Sequence, residues 1–332
     1  MNTEDVAERL AAFLKRSHDA SDVRIDDLRL LTGGASRQTW SFDAVIDSRT
    51  HALVARADSR TSPGAMSRET EYRILEAAHA AGVPVPRMHL MGDDSLGMAF
   101  FLMERVEGET IARRILRDDA YAGARLKGAA QLGEILAAVH RIPLDAPGLE
   151  KLARPDEGKS PAETELDRWE QTYRQITPDP HPAFELAVRW LRRDPPQTPG
   201  VTLVHGDYRM GNFIIDADGV RAVLDWELTH VGDPIEDLGW VCVRSWRFGN
   251  DDLPVAGLGP REECFRAYEA AGGRLVDPDA VRWWEVFGNL RWGIICIMQA
   301  SAYLTGLSKS VELAAIGRRT AETEFELLNL IG

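Results

Sequence analysis

The stretch that decides the reading of this chain is Val204-His205-Gly206-Asp207-Tyr208-Arg209-Met210-Gly211-Asn212-Phe213-Ile214-Ile215-Asp216-Ala217-Asp218-Gly219-Val220-Arg221-Ala222-Val223-Leu224-Asp225-Trp226-Glu227. Its polar residues fall at fixed intervals. Asn212 comes five residues after Asp207, and Asp225 thirteen after Asn212. An Asp that can hold an acceptor hydroxyl, an Asn and a second Asp for metal is the set that phosphoryl transfer requires, since that chemistry rests on positioning and charge neutralisation. Asn and Asp offer the hard oxygens that magnesium prefers. Any one of these residues, taken alone, reads as a loop or strand-end polar group. The ordered set is what carries the functional reading.

Local pattern supports the set. Val201 to Val204 reads as a short apolar strand delivering His205-Gly206-Asp207 to its end. Phe213 to Ile215 and Val220 to Leu224 are β-rich, with Asp216-Ala217-Asp218-Gly219 between them as a hairpin turn. A hairpin there returns Asp225 to the edge that carries Asn212. With a loose transition state, orientation of the hydroxyl by Asp207 matters more than its basicity.

The segment closely resembles the aminoglycoside phosphotransferase and choline kinase group, relatives of the protein kinases, and most of all the branch that includes kinase-like domains fused to acyl-CoA dehydrogenases. The residues that carry the resemblance are His205-Gly206-Asp207-Tyr208-Arg209, Asn212, Ala222 to Glu227, Gly232-Asp233-Pro234 and Asp237-Leu238. Met210-Gly211 departs from the Leu-Asp of many relatives and leaves the spacing intact. The resemblance implies that Asp207 is the catalytic aspartate and that Asn212 and Asp225 bind magnesium. It also implies that Asp237 hydrogen-bonds the catalytic-loop backbone and that His205 is structural. The fold expected is α+β and two-lobed, protein-kinase-like, with a small β-rich N-lobe at 1–104 that binds nucleotide. A larger, mainly helical lobe at 105–332 would carry catalysis and the acceptor.

The upstream sequence supplies a nucleotide half. Gly33, Gly34 and Ser36 lie between two strand patterns, where a loop can present N–H groups and a hydroxyl to phosphate. Alone, such glycines serve a turn. Leu53-Val54-Ala55-Arg56 has the form of the strand that carries the phosphate-gripping cation, with Arg56 where lysine is usual. Glu71 on the following helix is the expected partner of Arg56, Glu69 the competitor, and a solvated helix carboxylate the plainer reading of either. Met103, Glu104 and Val106 are expected at the adenine edge, with Phe101 and Leu102 as buried strand.

The rest of the chain bounds the reading. Its 332 residues, 44% hydrophobic, can bury the core of one large two-lobed unit. A net charge of −13 argues against general nucleic-acid or anionic-membrane binding. Cys242, Cys264 and Cys296 form no metal or redox motif and read as buried thiols of a cytoplasmic protein. The acidic N-terminus lacks a signal-peptide core. The apolar run from Trp283 to Leu304 is broken by Glu285, Asn289, Arg291 and Gln299, so it reads as a core helix.

Helices are expected over Met66 to Ala81, along Leu126, Ala129, Leu132, Leu136 and Val139 to His140, from the capping box at Ser160, from Asp277-Pro278, and over Ala314 to Leu330. His140 reads as a helix-terminal or packing residue, and most of the late tryptophans, Trp240, Trp246, Trp283, Trp284 and Trp292, as core, with one or two available to line an apolar acceptor pocket. The reaction expected is transfer of the γ-phosphoryl of ATP, with Mg, to a hydroxyl of a small molecule. Apolar, Trp-bearing late helices suit a hydroxyacyl acceptor at least as well as an antibiotic. Two alternatives stand beside it: a nucleotide-binding pseudokinase without turnover, and a metal-dependent hydrolase built on His205, Asp207, Asp225 and Asp233.

Overall fold

The computed structural model describes residues 3–31, 37–58, 66–177 and 179–332, with the backbone alone at 37. The chain divides into two compact units. The smaller comprises residues 1–108, 143–151 and 221–228; the larger comprises 109–142, 152–220 and 229–332.

The smaller unit opens with helix α1 (Thr3–Ser17), followed by strands β1 (Val23–Leu31), β2 (Arg37–Ile46) and β3 (Arg49–Asp58), helix α2 (Arg68–Ala80), and strands β4 (Met88–Met91) and β5 (Phe100–Glu104). The strands form one sheet in the order β1-β2-β3-β5-β4, all neighbours antiparallel. Period-two alternation sorts its residues. Trp40, Phe42, Ala44, Leu53, Ala55, Ala57, Phe100 and Leu102 pack with Val6, Leu10, Phe13 and Leu14 of α1. Burying each of these four α1 side chains contributes about 1.5–3 kcal/mol. Phe13 meets Phe100 edge to face at 5.1 Å. Residues of the opposite parity, Arg56 and Phe101, therefore point the other way. There Tyr72 of α2 meets Phe101 edge to face at 5.9 Å. Ser67 caps α2, its hydroxyl accepting the Thr70 N–H at 3.1 Å.

In the larger unit the helices are α3 (Ala112–Arg117), α4 (Ala122–Val139), α5 (Pro161–Ile176) and α6 (Pro182–Arg193). The capping box expected at Ser160 is present at the start of α5. Then come β6 (Thr202–Val204), β7 (Phe213–Asp216), β8 (Gly219–Val223, its residues from Arg221 on belonging to the smaller unit), β9 (His230–Gly232), α7 (Ile235–Cys242), α8 (Arg261–Ala270), α9 (Pro278–Leu304), α10 (Val311–Gly317) and α11 (Thr320–Ile331). Strands β6 and β9 pair antiparallel, Leu203 opposite Val231. In the turn before β8, Asp216 Oδ1 accepts the N–H groups of Asp218 and Gly219 at 2.7 and 3.1 Å. Helix α7 passes α9 at backbone range: a Cβ on Gly239 would lie 2.5 Å from Trp284 Cβ.

The α+β kinase-like architecture expected from the sequence is the one found, with two corrections. The helix expected over Ala314 to Leu330 is two, because the chain turns at Arg318 and Arg319 between α10 and α11. Leu126, read as part of the apolar stripe of α4, is 84% exposed; the stripe begins with Ala124 and Gly128. No helix among the described residues is long and apolar enough to cross a membrane.

Candidate active site

Strand β6 is three buried residues long and ends at Val204, so that His205 is the first residue beyond it. Gly206 follows at φ 79°, in the left-handed region that glycine occupies without steric cost, and reverses the chain. Asp237, in the first turn of α7 and wholly buried, receives this turn. Its Oδ2 accepts the His205 N–H at 2.8 Å and its Oδ1 the Gly206 N–H at 2.9 Å. His140 Nε2 lies 3.2 Å from Oδ2, and His140 Nδ1 lies 2.8 Å from the Tyr268 hydroxyl. A carboxylate only accepts, so Nε2 is the protonated nitrogen. Burial alone would raise the Asp237 carboxyl. The His140 hydrogen bond and charge and the His205 N–H outweigh it, and the group sits below the ordinary aspartate value.

The Asp207 carboxylate is held by three donors. Arg209 Nε and Trp240 Nε1 reach Oδ1 at 2.9 and 3.0 Å. Asn212 Nδ2 reaches Oδ2 at 2.7 Å and the Asp207 carbonyl at 2.9 Å. These take three of the roughly four acceptor positions of a carboxylate, which fixes its orientation and leaves room for a hydroxyl. The Asp207 N–H donates to His205 Nδ1 at 3.1 Å, so that nitrogen is unprotonated and already engaged. Because the Asn212 amide nitrogen is spent on Asp207, its oxygen is the end with which it can meet a cation.

A second group of predicted residues assembles within the smaller unit. Arg56 Nε lies 2.8 Å from Glu71 Oε1, and Nη2 2.6 Å from Asp225 Oδ1. Burial acts to lower the Arg56 guanidinium; the charges of Glu71 and Asp225 reverse that and leave it raised. The choice between two glutamates falls to Glu71, which also pairs with the buried Arg68. Glu69 points to solvent and pairs with Lys151 at 3.3 Å. Asp225 has φ 67°, a conformation that costs a non-glycine residue about 1 kcal/mol or more. Trp226 beside it is buried, its indole N–H on the Val223 carbonyl at 3.1 Å. The charge of Glu227 adds to those that hold Arg56 protonated.

Phe101, Leu102 and Met103 are buried in β5, and Glu104 at its end is exposed. The Glu104 N–H is spent on the Arg87 carbonyl at 2.9 Å, and the next N–H, of Arg105, on Ala52 at 3.0 Å. Val106 is half-buried. Gly33, Gly34 and Ser36 lie outside the described residues. All three cysteines are buried free thiols, and burial pushes Cys242 and Cys296 up to about 12.

Sequence reasoning placed Trp240 among core residues and left Arg209 as motif text; neither was given a hold on Asp207. A cluster it did not foresee is Glu165, His230 and Glu236, whose ligand-type atoms lie within 4.8 Å of one another. Arg168 and Arg291 pair with the two carboxylates and balance their charge.

Comparison with known proteins gives a consistent answer. The model of the phosphotransferase enzyme family matches residues 27–284. Acyl-CoA dehydrogenase family member 10 of Mus musculus is 31% identical over 334 residues, which cover 96% of this chain and 30% of that protein. The chain thus spans under a third of this curated relative. A crystal structure of a putative aminoglycoside phosphotransferase from Ralstonia eutropha JMP134 superposes with a TM-score of 0.76 at 26% identity, covering 98% and 97% of the two chains. A thermostable mutant of aminoglycoside phosphotransferase APH(4)-Ia, in ternary complex with AMP-PNP and hygromycin B, gives 0.62 at 18% identity, with 98% of each chain covered. The resemblance carried by the His205 to Leu238 motifs, including the branch joined to acyl-CoA dehydrogenases, is what these comparisons return. The chain belongs to the phosphotransferase enzyme family.

Proposed function

We propose that this chain transfers the γ-phosphoryl group of ATP to a hydroxyl of a small molecule, with magnesium. The observation that carries the reading is the Asp207 carboxylate, oriented by Arg209, Trp240 and Asn212 at 2.7–3.0 Å. A carboxylate so held aims its remaining acceptor position at an incoming hydroxyl and takes its proton as the phosphoryl group arrives. His205 is engaged by the Asp207 N–H and serves the loop, with Asp237.

Asn212 and Asp225 are the residues to which we assign magnesium. Both supply hard oxygens, and the Asn212 amide nitrogen is already committed, so the donor set fits. The ion supplies charge neutralisation on the phosphates. Arg56 has five N–H donors, of which Glu71 and Asp225 engage two nitrogens, and the others suit phosphate oxygens. Residues 1–104, with Gly33, Gly34, Ser36, Met103, Glu104 and Val106, are assigned to the nucleotide, and 105–332 to catalysis and the acceptor. Since the Glu104 N–H is spent, Val106 is the better candidate to read a base.

The acceptor we favour is a hydroxyacyl compound. The supports are the acyl-CoA dehydrogenase relatives and a cavity of about 620 Å³ in the larger unit, where Phe248 and Phe325 stand beside Arg244 and Arg319, each ion-paired with carboxylates of the same lining. Buried thiols and acidic charge suit a cytoplasmic enzyme with no nucleic-acid or membrane partner. The test is an ATP-consumption screen over hydroxyacyl thioesters, aminoglycosides, choline-like alcohols and sugars, with Asp207→Asn as control. Turnover with one class, lost by at least a hundredfold in the control, is expected. A control with full activity removes Asp207 from the chemistry. Mg-ATP binding without turnover on any acceptor makes the chain a pseudokinase.

A further inference from the structure

Arg291 interrupts the apolar face of α9 and is 1% exposed. A buried guanidinium is costly unless paired, and this one has two partners in the larger unit. Nη1 donates to Glu236 Oε1 at 3.1 Å, and Nη2 to the Gly206 carbonyl at 2.9 Å. Its plane also lies between two indoles, 4.7 Å from the Trp240 ring centroid and 5.2 Å from that of Trp169. Trp240 is the residue whose N–H holds Asp207 Oδ1. One side chain therefore touches both the peptide that precedes Asp207 and the ring that orients its carboxylate.

The hold complements that of Asp237. Asp237 takes the N–H groups of His205 and Gly206, and Arg291 takes the Gly206 carbonyl. Gly206 is the most conformationally free residue type, at φ 79°, so its peptide groups need such external partners to stay put. The charge is balanced along a row rather than by a cation. Glu236 Oε2 lies 3.1 Å from His230 Nε2, which lies 4.0 Å from Glu165, itself paired with Arg168. Two carboxylates face two guanidinium groups, so the cluster needs no metal.

We infer that Arg291 is a positioning residue for Asp207, acting through the Gly206 carbonyl and the Trp240 indole. The inference rests on the assignment of Asp207 as the catalytic aspartate. Trp240→Phe keeps an aromatic ring beside Arg291 and removes the pyrrole half of the indole with its N–H. Arg291→Lys keeps the charge, but a single ammonium cannot span Gly206, Glu236 and the ring.

The chain has nine tryptophans, so its ¹⁵N indole spectrum is tractable, and Trp240→Phe identifies the Trp240 resonance by loss. That resonance is expected to move in Asp207→Asn and in Arg291→Lys while most others stay. With Mg-ATP and an acceptor from the screen, or water as the acceptor, kcat is expected to fall about tenfold to a hundredfold in Trp240→Phe and in Arg291→Lys, the scale of one charge-assisted hydrogen bond. KM for ATP should stay within about twofold. The inference is overturned if the Trp240 resonance ignores Asp207→Asn or Arg291→Lys, if kcat is unchanged, or if all indole resonances shift together, which marks a general packing role. If instead Asp207→Asn keeps full turnover while the Trp240 resonance moves in it and in Arg291→Lys, the brace stands and the catalytic assignment falls.

Discussion

Asp237→Asn is the sharpest probe of how the loop is held. The wild-type carboxylate accepts two backbone N–H groups, one on each oxygen, inside a fully buried environment. Asparagine keeps one carbonyl oxygen. Its NH₂ must then face either the His205 or the Gly206 N–H, donor against donor. Losing one charge-assisted hydrogen bond costs about 1.5–3 kcal/mol, and leaving a buried donor unpaired costs about 1–3 more. The sum, on the order of 3–5 kcal/mol, should lower Tm by roughly 4–7 °C, taking about 1.4 °C per kcal/mol for a chain of 332 residues.

Thermal melts followed by circular dichroism read this directly, and pH supplies the control. The Asp237 carboxyl titrates below its ordinary value in the fold. Its contribution is complete above the unfolded value near 4 and is lost as pH falls through the folded one. In acid the wild-type group is itself neutral, so the gap between wild type and variant should close. A variant that melts within about 1 °C of wild type at pH 7, or a gap that stays constant into acid, refutes the reasoning.

Two further perturbations address other parts of the molecule. Asp233 is buried, and burial raises its carboxyl to about 6; its folded value exceeds the unfolded one, so wild type should lose up to ~3 kcal/mol as pH rises from 4 to 7, a loss absent in Asp233→Asn, as urea titrations at the two pH values will show. Arg56→Met leaves Glu71 and Asp225 without their shared partner and should destabilise the chain by about 2–4 kcal/mol in the same assay, with Arg56→Lys recovering part of it because one ammonium serves a single carboxylate well.

The elements that the sequence revealed are those set by short-range pattern. Val6, Leu10, Phe13 and Leu14 announce α1 by helical period, Trp40, Phe42 and Ala44 announce β2 by alternation, and Asp216 to Gly219 announce a turn. The relation of Asp207 to Asn212 is equally local, five residues along one loop. Trp240 and Arg291 were illegible because their partners lie 33 and 85 residues away, and a tryptophan or arginine in an apolar helix looks the same whether it packs or orients. Glu71 and Glu69 differ by a 200° rotation on α2, so periodicity separates them by face, yet only the placement of Arg56 decides which face matters. Leu126 misled for the converse reason: a leucine at the right period near a helix start can still meet water.

The smaller unit is not contiguous, and this bears on how the protein is made. Its sheet is complete by residue 104, yet Val223, whose N–H meets the Pro84 carbonyl at 2.8 Å, and Asp225, which meets Arg56, arrive much later. The separation of 169 residues between Arg56 and Asp225 corresponds to roughly 10–30 s of ribosomal synthesis. Over that interval the nascent sheet has Glu71 for its arginine but lacks the returning segment. A gene truncated after the sheet would yield a unit missing one carboxylate of its own ion-pair network. In a fusion protein, the smaller unit of this chain is therefore not a transferable N-terminal module; the unit that can be moved as a piece includes at least residues 221–228.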